Sequence, residues 1–116
     1  MINDELSRMV VQFRVPDEVT GATAKYRPVL LLWDSTRVVL FPITTKYKNK
    51  SPQIKRQYVK IDHWQKCGLK RESWVDTGNP VQITFSQLNE LHSARIGALV
   101  PSDLHKIIMH LYHANI

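Results

Sequence analysis

Hydrophobic and polar positions along the chain come in short bursts that suit β-strands, until a C-terminal stretch where the spacing changes to that of a helix. Residues 7–15, SRMVVQFRV, alternate as a strand, and Pro16 stops them before the polar loop DEVTGATAKY. RPVLLLW, from Arg27, is a continuous apolar run of the kind expected for a strand buried on both faces. A turn at Asp34-Ser35 then leads into TRVVLFPIT, which reads as the returning antiparallel strand of a hairpin. KYKNKSP is a loop by composition. In IKRQYVKID, Ile54, Arg56, Tyr58 and Lys60 alternate against Lys55, Gln57, Val59 and Ile61, which predicts a half-exposed strand.

HWQKCG predicts a single helical turn closed by Gly68, because glycine accepts the left-handed cap conformation. SWVDTGNPVQITF predicts a short strand, a turn at Gly78-Asn79-Pro80 and a second strand, whereas SQLNELHSARIG is weakly helical or irregular. Leu104, Ile107, Ile108 and Leu111 form the i, i+3, i+4, i+7 stripe of an amphipathic helix, with Ser102 as its expected N-cap and Asp103 suited to its positive end. These elements make a mainly β fold with a C-terminal helix (α+β), a curled antiparallel sheet in a single domain over residues 1–116.

Composition adds one thing to this pattern. The net charge of +6 is unevenly placed: Lys46 to Arg71 holds nine basic residues against Asp62 alone, or +8, which leaves the remainder at −2. Such a segment attracts phosphates and acidic proteins, unless it is only a solvated basic face. Tyr47, Tyr58, Trp64 and Trp74 thread through or beside it. Cations on phosphates with bases stacked on rings is how single-stranded nucleic acid is held. Trp74 is expected in the core, and Trp64 is compatible with core or surface.

Other chemistry finds little support. His105, His110 and His113 share the terminal helix without a cysteine or carboxylate to complete a zinc set, so no metal site is expected. His63 and His92 stand singly; either could transfer a proton, but surface or packing roles suit them better. There is no serine elbow, Cys-His signature or glycine-rich phosphate loop. Cys67, the one cysteine, is expected to be packed rather than reactive. No apolar run is long enough to span a bilayer, and the N-terminal MINDELSRMVVQF lacks the pattern of a signal peptide, so a cytoplasmic location and no membrane contact are expected.

KYRPVLLLW, VVLFPITTKY, GLKRESWVD and RIGALVPSDLHKIIMHL, in this order and spacing over about residues 25–112, resemble the PemK/MazF toxins of type II toxin–antitoxin systems. The resemblance implies a small SH3-like antiparallel barrel of the PemK/MazF/CcdB type with a C-terminal helix, as a homodimer. It implies an mRNA interferase that cleaves single-stranded RNA with no metal or cofactor and is held in check by a cognate acidic antitoxin. Arg27 matches the arginine of the family's R-P motif, and Thr44 the threonine that ends its P-x-T strand, both at the RNA site. A guanidinium and a hydroxyl suit a phosphate that gains charge as a ribose 2′-OH attacks it. Thr45, Lys46, Tyr47, Lys48 and Lys50, with Lys55 and Arg56, would track the flanking strand.

The sequence also departs from the family. Some members carry an arginine and an aspartate two apart after the G-L motif, as acid and base; here Asp76 and Gly78 occupy those positions. The nearest substitutes are Asp76 itself, Ser73, and Arg71 or Lys70. Glu18 is the only glutamate left in the loop before Arg27-Pro28. Three readings stay open: Asp76 as the base of a rearranged site with Ser73, a site of cations and backbone groups, or a binding module of the same fold that does not cleave and grips an acidic protein or a nucleic acid.

Overall fold

The computed structural model describes residues 9–15, 25–33, 37–91 and 94–114. The expected polar loop after Pro16, Glu18, the Asp34-Ser35 turn and His92 lie outside them. Strands β1 (Met9–Val15), β2 (Lys25–Trp33) and β3 (Val38–Thr44) form an antiparallel meander. Helix α1 (Pro52–Lys55), β4 (Tyr58–Lys60), β5 (Trp74–Asp76), β6 (Val81–Ile83), α2 (Phe85–Glu90), β7 (Ala94–Ala98) and α3 (Pro101–Ala114) follow. The strand order is β4-β5-β3-β2-β1-β7, with β6 also on β3.

Strand β3 explains the curl. On the edge away from β2, its Val38–Leu40 pair with β6 and its Ile43 and Thr44 pair with β5. Pro42 sits between the two, where a residue without an N–H breaks the ladder and lets the strand change partners.

Alternation along β2 and β3 sends side chains to two cores. Leu30, Leu32, Phe41 and Ile43 meet Val59, Ile61, Val75 and Leu99 on one side. Val29, Leu31, Val38 and Leu40 meet Val11 on the other, under Ile83, Leu88 and Leu91. Val29 to Leu32 are all buried, as the unbroken apolar run requires, and each such side chain contributes roughly 1.5–3 kcal/mol.

The end strands β4 and β7 do not pair with each other; the turn at 62–69 lies between them. Gly68 closes that turn with φ +89°, and Gly97 of β7 packs so closely that a Cβ there would strike the Cys67 carbonyl. Helix α3 clamps the turn from outside. The buried Asp103 carboxylate accepts from the Asp62 amide (3.2 Å), the His63 amide (2.9 Å) and, at 3.3 Å, the His63 ring Nδ1. The predicted stripe is the face that packs: Leu104 and Ile107 are buried, with Ile108 and Leu111 against the same core.

Three local expectations change. Residues 52–55 are helical, because Ser51 accepts the Ile54 amide and Pro52 starts the helix, so the strand shrinks to Tyr58–Lys60. Residues 85–98 hold both a helix, opened by a Thr84–Gln87 capping box, and strand β7 against β1. Ser102 lies inside α3, which begins at Pro101, a residue pre-set for a first helical position.

Candidate nucleic-acid interface

The register that pairs Ile43 with Val75 and Thr44 with Trp74 brings two loops side by side where β3 ends and β5 begins. On the β3 side, the Thr44 hydroxyl accepts the Lys46 amide (3.1 Å) and the Lys50 amide donates to the Tyr47 carbonyl (3.1 Å), which turns the lysine-rich loop back on itself. On the β5 side, the buried Ser73 hydroxyl donates to the Arg71 carbonyl at 2.9 Å. Tyr47 ties the loops together. Its ring stacks on Trp74 with centroids 4.6 Å apart and planes within 5°, an arrangement worth about 0.5–1.5 kcal/mol.

Between the loops is a cleft of about 720 Å³, walled by Thr45, Lys46, Tyr47, Lys48, Asn49 and Lys50 and, opposite, by Arg71, Glu72 and Trp74. A second cleft of about 540 Å³ continues past Leu69, Lys70 and Ser73 to Gln12, Pro28, Gly68 and Ile96. Thr45 and Arg71 line both, so the two form one groove with those residues at its junction. Among the described residues five cations line it, Lys46, Lys48, Lys50, Lys70 and Arg71, against one carboxylate, Glu72. The Glu72 Oε1 is 3.3 Å from the Lys60 Nζ.

Of the strand-tracking residues expected from the sequence, Thr45, Lys46, Tyr47, Lys48 and Lys50 line the first cleft. Lys55 lines neither cleft and instead sets its Nζ over the Tyr47 ring, 4.8 Å from the centroid. With Trp74 stacked on its ring and the Lys55 ammonium also over it, Tyr47 is a wall of the cleft rather than an open platform for a base. Arg56 caps α1 and lines neither cleft.

The expected catalytic residues are dispersed. Ser73 lines the second cleft. Arg27 is exposed on β2 opposite Phe13, and alternation puts it on the other face from Pro28, away from the groove. Thr44 directs its hydroxyl to the loop amide and lines neither cleft. Asp76, expected as a base, is 8% exposed. Its Oδ1 accepts from the Gly78 amide at 2.9 Å and its Oδ2 from Asn79 Nδ2 at 2.8 Å, so both oxygens hold the turn into β6. The phenol of Tyr58, paired with Asp76 across the ladder, is pushed above its ordinary 10.0 by burial and then by that carboxylate's charge. Sequence reasoning missed Asn49 and Glu72; the position of Glu72 beside Arg71 in GLKRES was the available signal.

Cys67 is packed as expected. It is 1% exposed, its thiol donates to the Trp64 carbonyl at 3.3 Å, and burial pushes it above its ordinary 9.0, away from the reactive thiolate. Trp74 is buried, and Trp64 is half-buried against the first core. Among the described residues no three His, Cys, Asp or Glu side chains are placed to share a metal ion, and no helix is long and apolar enough to cross a membrane.

A curled antiparallel sheet with a C-terminal helix, carrying a basic groove at its β3–β5 end, is a MazF-like fold. Among solved structures, the Mycobacterium tuberculosis toxin MazF-mt6 matches it with a TM-score of 0.60 and 24% sequence identity, over 90% of this chain and 94% of that one. The likeness is one of fold. The sequence matches no protein-family model and no curated protein.

Proposed function

We propose that the chain is the toxin of a type II toxin–antitoxin pair, an endoribonuclease that binds single-stranded RNA in the groove and cleaves it without a metal or cofactor. The groove carries this reading: five cations and a stacked Tyr47–Trp74 wall line a continuous channel on a fold shared with a MazF toxin. Lys46, Lys48 and Lys50 neutralise backbone phosphates, a sequence-independent and salt-sensitive grip. Arg71 offers a forked guanidinium and Thr45 a hydroxyl where the clefts meet, a pair suited to a phosphate under attack. In the reaction the ribose 2′-oxygen bonds to phosphorus and the P–O5′ bond breaks, leaving a 2′,3′-cyclic phosphate and a 5′-hydroxyl. Thr44 is the chain neighbour of Thr45 and in this reading borders the path of the RNA, whereas Arg27, on the face of β2 opposite to Pro28, stays outside it.

The same charge would attract an acidic antitoxin, whose tail could cover the groove by complementarity. A homodimer and a cytoplasmic location complete the reading. The committed Asp76 oxygens favour a second one, a module that binds RNA or an acidic protein without cutting. Incubating the purified chain with a long single-stranded RNA in EDTA separates them. Cleavage that drops with Lys48→Ala and Lys50→Ala supports the nuclease; bound but intact RNA supports the module; no binding to RNA overturns the nuclease and leaves the module only an acidic protein to grip.

A further inference from the structure

Phosphate stabilisation by cations leaves the 2′-hydroxyl proton unaccounted for, and its transfer normally supplies a further ~10²–10⁴-fold in rate. The acceptor must reach the groove with a free lone pair. Asp76 does not qualify, because it is buried and lines neither cleft, with its oxygens turned to the Gly78 amide and the Asn79 side chain. Asp103 is buried under three hydrogen bonds from the 62–63 turn, and Asp62 is held by Lys106 at 2.8 Å; neither lines the groove. Among the described residues Glu72 is the one acidic residue lining the groove, and its neighbour Arg71 sits at the junction with Thr45. Its side chain is 55% exposed. Lys60 engages Oε1 at 3.3 Å, while Oε2 bonds to no described residue.

We propose that Glu72 is the general base, with Arg71 and Thr45 holding the scissile phosphate at the junction of the clefts. The assignment rests on the RNA-cleaving reading and moves the reacting centre from Asp76 to the segment before β5. Lys60 fixes one carboxylate oxygen and so points the other at the 2′-hydroxyl. Glu72 takes the 2′ proton as the P–O2′ bond forms. The departing O5′ takes a proton from water, and the hydroxide left behind removes the proton from Glu72, which returns the protein unchanged.

The test compares wild type with Glu72→Gln in EDTA, by single-turnover cleavage of a single-stranded RNA across a range of pH. Binding is measured separately by anisotropy with a 2′-O-methyl RNA of the same sequence, which cannot react. Because Glu72 is exposed, its amide leaves the fold and melting temperature in place, which circular dichroism checks. The expected result is a rate about 10²–10⁴-fold lower at neutral pH, with affinity for the inert RNA kept and the acidic limb of the pH–rate profile lost. A variant that cleaves within about threefold of wild type with the same pH profile overturns the role of Glu72 and leaves the nuclease reading standing. Wild type that binds the RNA and leaves it intact overturns both.

Discussion

Asp103 does more than its position at a helix start suggests. The sequence marks it as a carboxylate suited to the positive end of α3. In the fold it also reaches across to the 62–63 turn and accepts two amides and a ring nitrogen, while only 1% exposed. Asp103→Ala strands two backbone donors, and hydrogen bonds to a buried charge contribute about 1.5–3 kcal/mol each. The expected loss is about 3–6 kcal/mol, read as a lower urea midpoint at unchanged slope, with Asp103→Asn in between because it keeps one acceptor oxygen. Residue identity was legible in the sequence where a side chain acts on its own neighbours, as with Gly68 and the stripe Leu104, Ile107, Ile108 and Leu111. It was not legible where the partner lies some forty residues away, as with Asp103 and His63. Asp76 shows the same limit, since the Asn79 amide that occupies its second oxygen is a matter of turn geometry.

At the scale of elements, long apolar runs announced themselves and short edges did not. RPVLLLW and VVLFPIT are β2 and β3 because both faces of each are covered, which leaves little room for another period. Strand β7 has no buried residue, two exposed ones and three half-buried ones, so its alternation is too weak to stand out from ARIGA alone. Its place is set by pairing with β1 and by the contact of Gly97 with the 62–69 turn. That contact predicts an outcome. A methyl at Gly97 meets the Cys67 carbonyl, a backbone group that cannot swing aside, so Gly97→Ala is expected to cost about 1–3 kcal/mol. Calorimetry should record a melting temperature lower by roughly 4–15 °C for a chain of this size. Unchanged melting would mean that β7 and the turn are not held in contact. The Ser51-Pro52 start of α1 teaches the converse: a two-residue capping signal outweighed an eight-residue alternation.

For the molecule as a whole, the question is whether the basic segment is a solvated face or a binding surface, and the fold sorts its charges in a way that separates the two. Lys46, Lys48, Lys50, Lys70 and Arg71 converge on the groove, whereas Lys60 pairs with Glu72, and Lys66 is exposed away from either cleft. On a solvated face every exposed lysine is equivalent. In a groove that tracks a single strand, each phosphate contact releases counterions and adds about 0.7 to the slope of log K against log salt. Five contacts predict a slope of about −3.5 for a non-cleavable RNA. Lys48→Ala should then shrink its magnitude by about 0.7, and Lys66→Ala should leave it unchanged. Equal effects from Lys48 and Lys66 would return the segment to general electrostatics. A selective effect would place the strand against the loop after Thr44, where the register of β3 and β5 has already set five cations beside a carboxylate whose second oxygen bonds to no described residue.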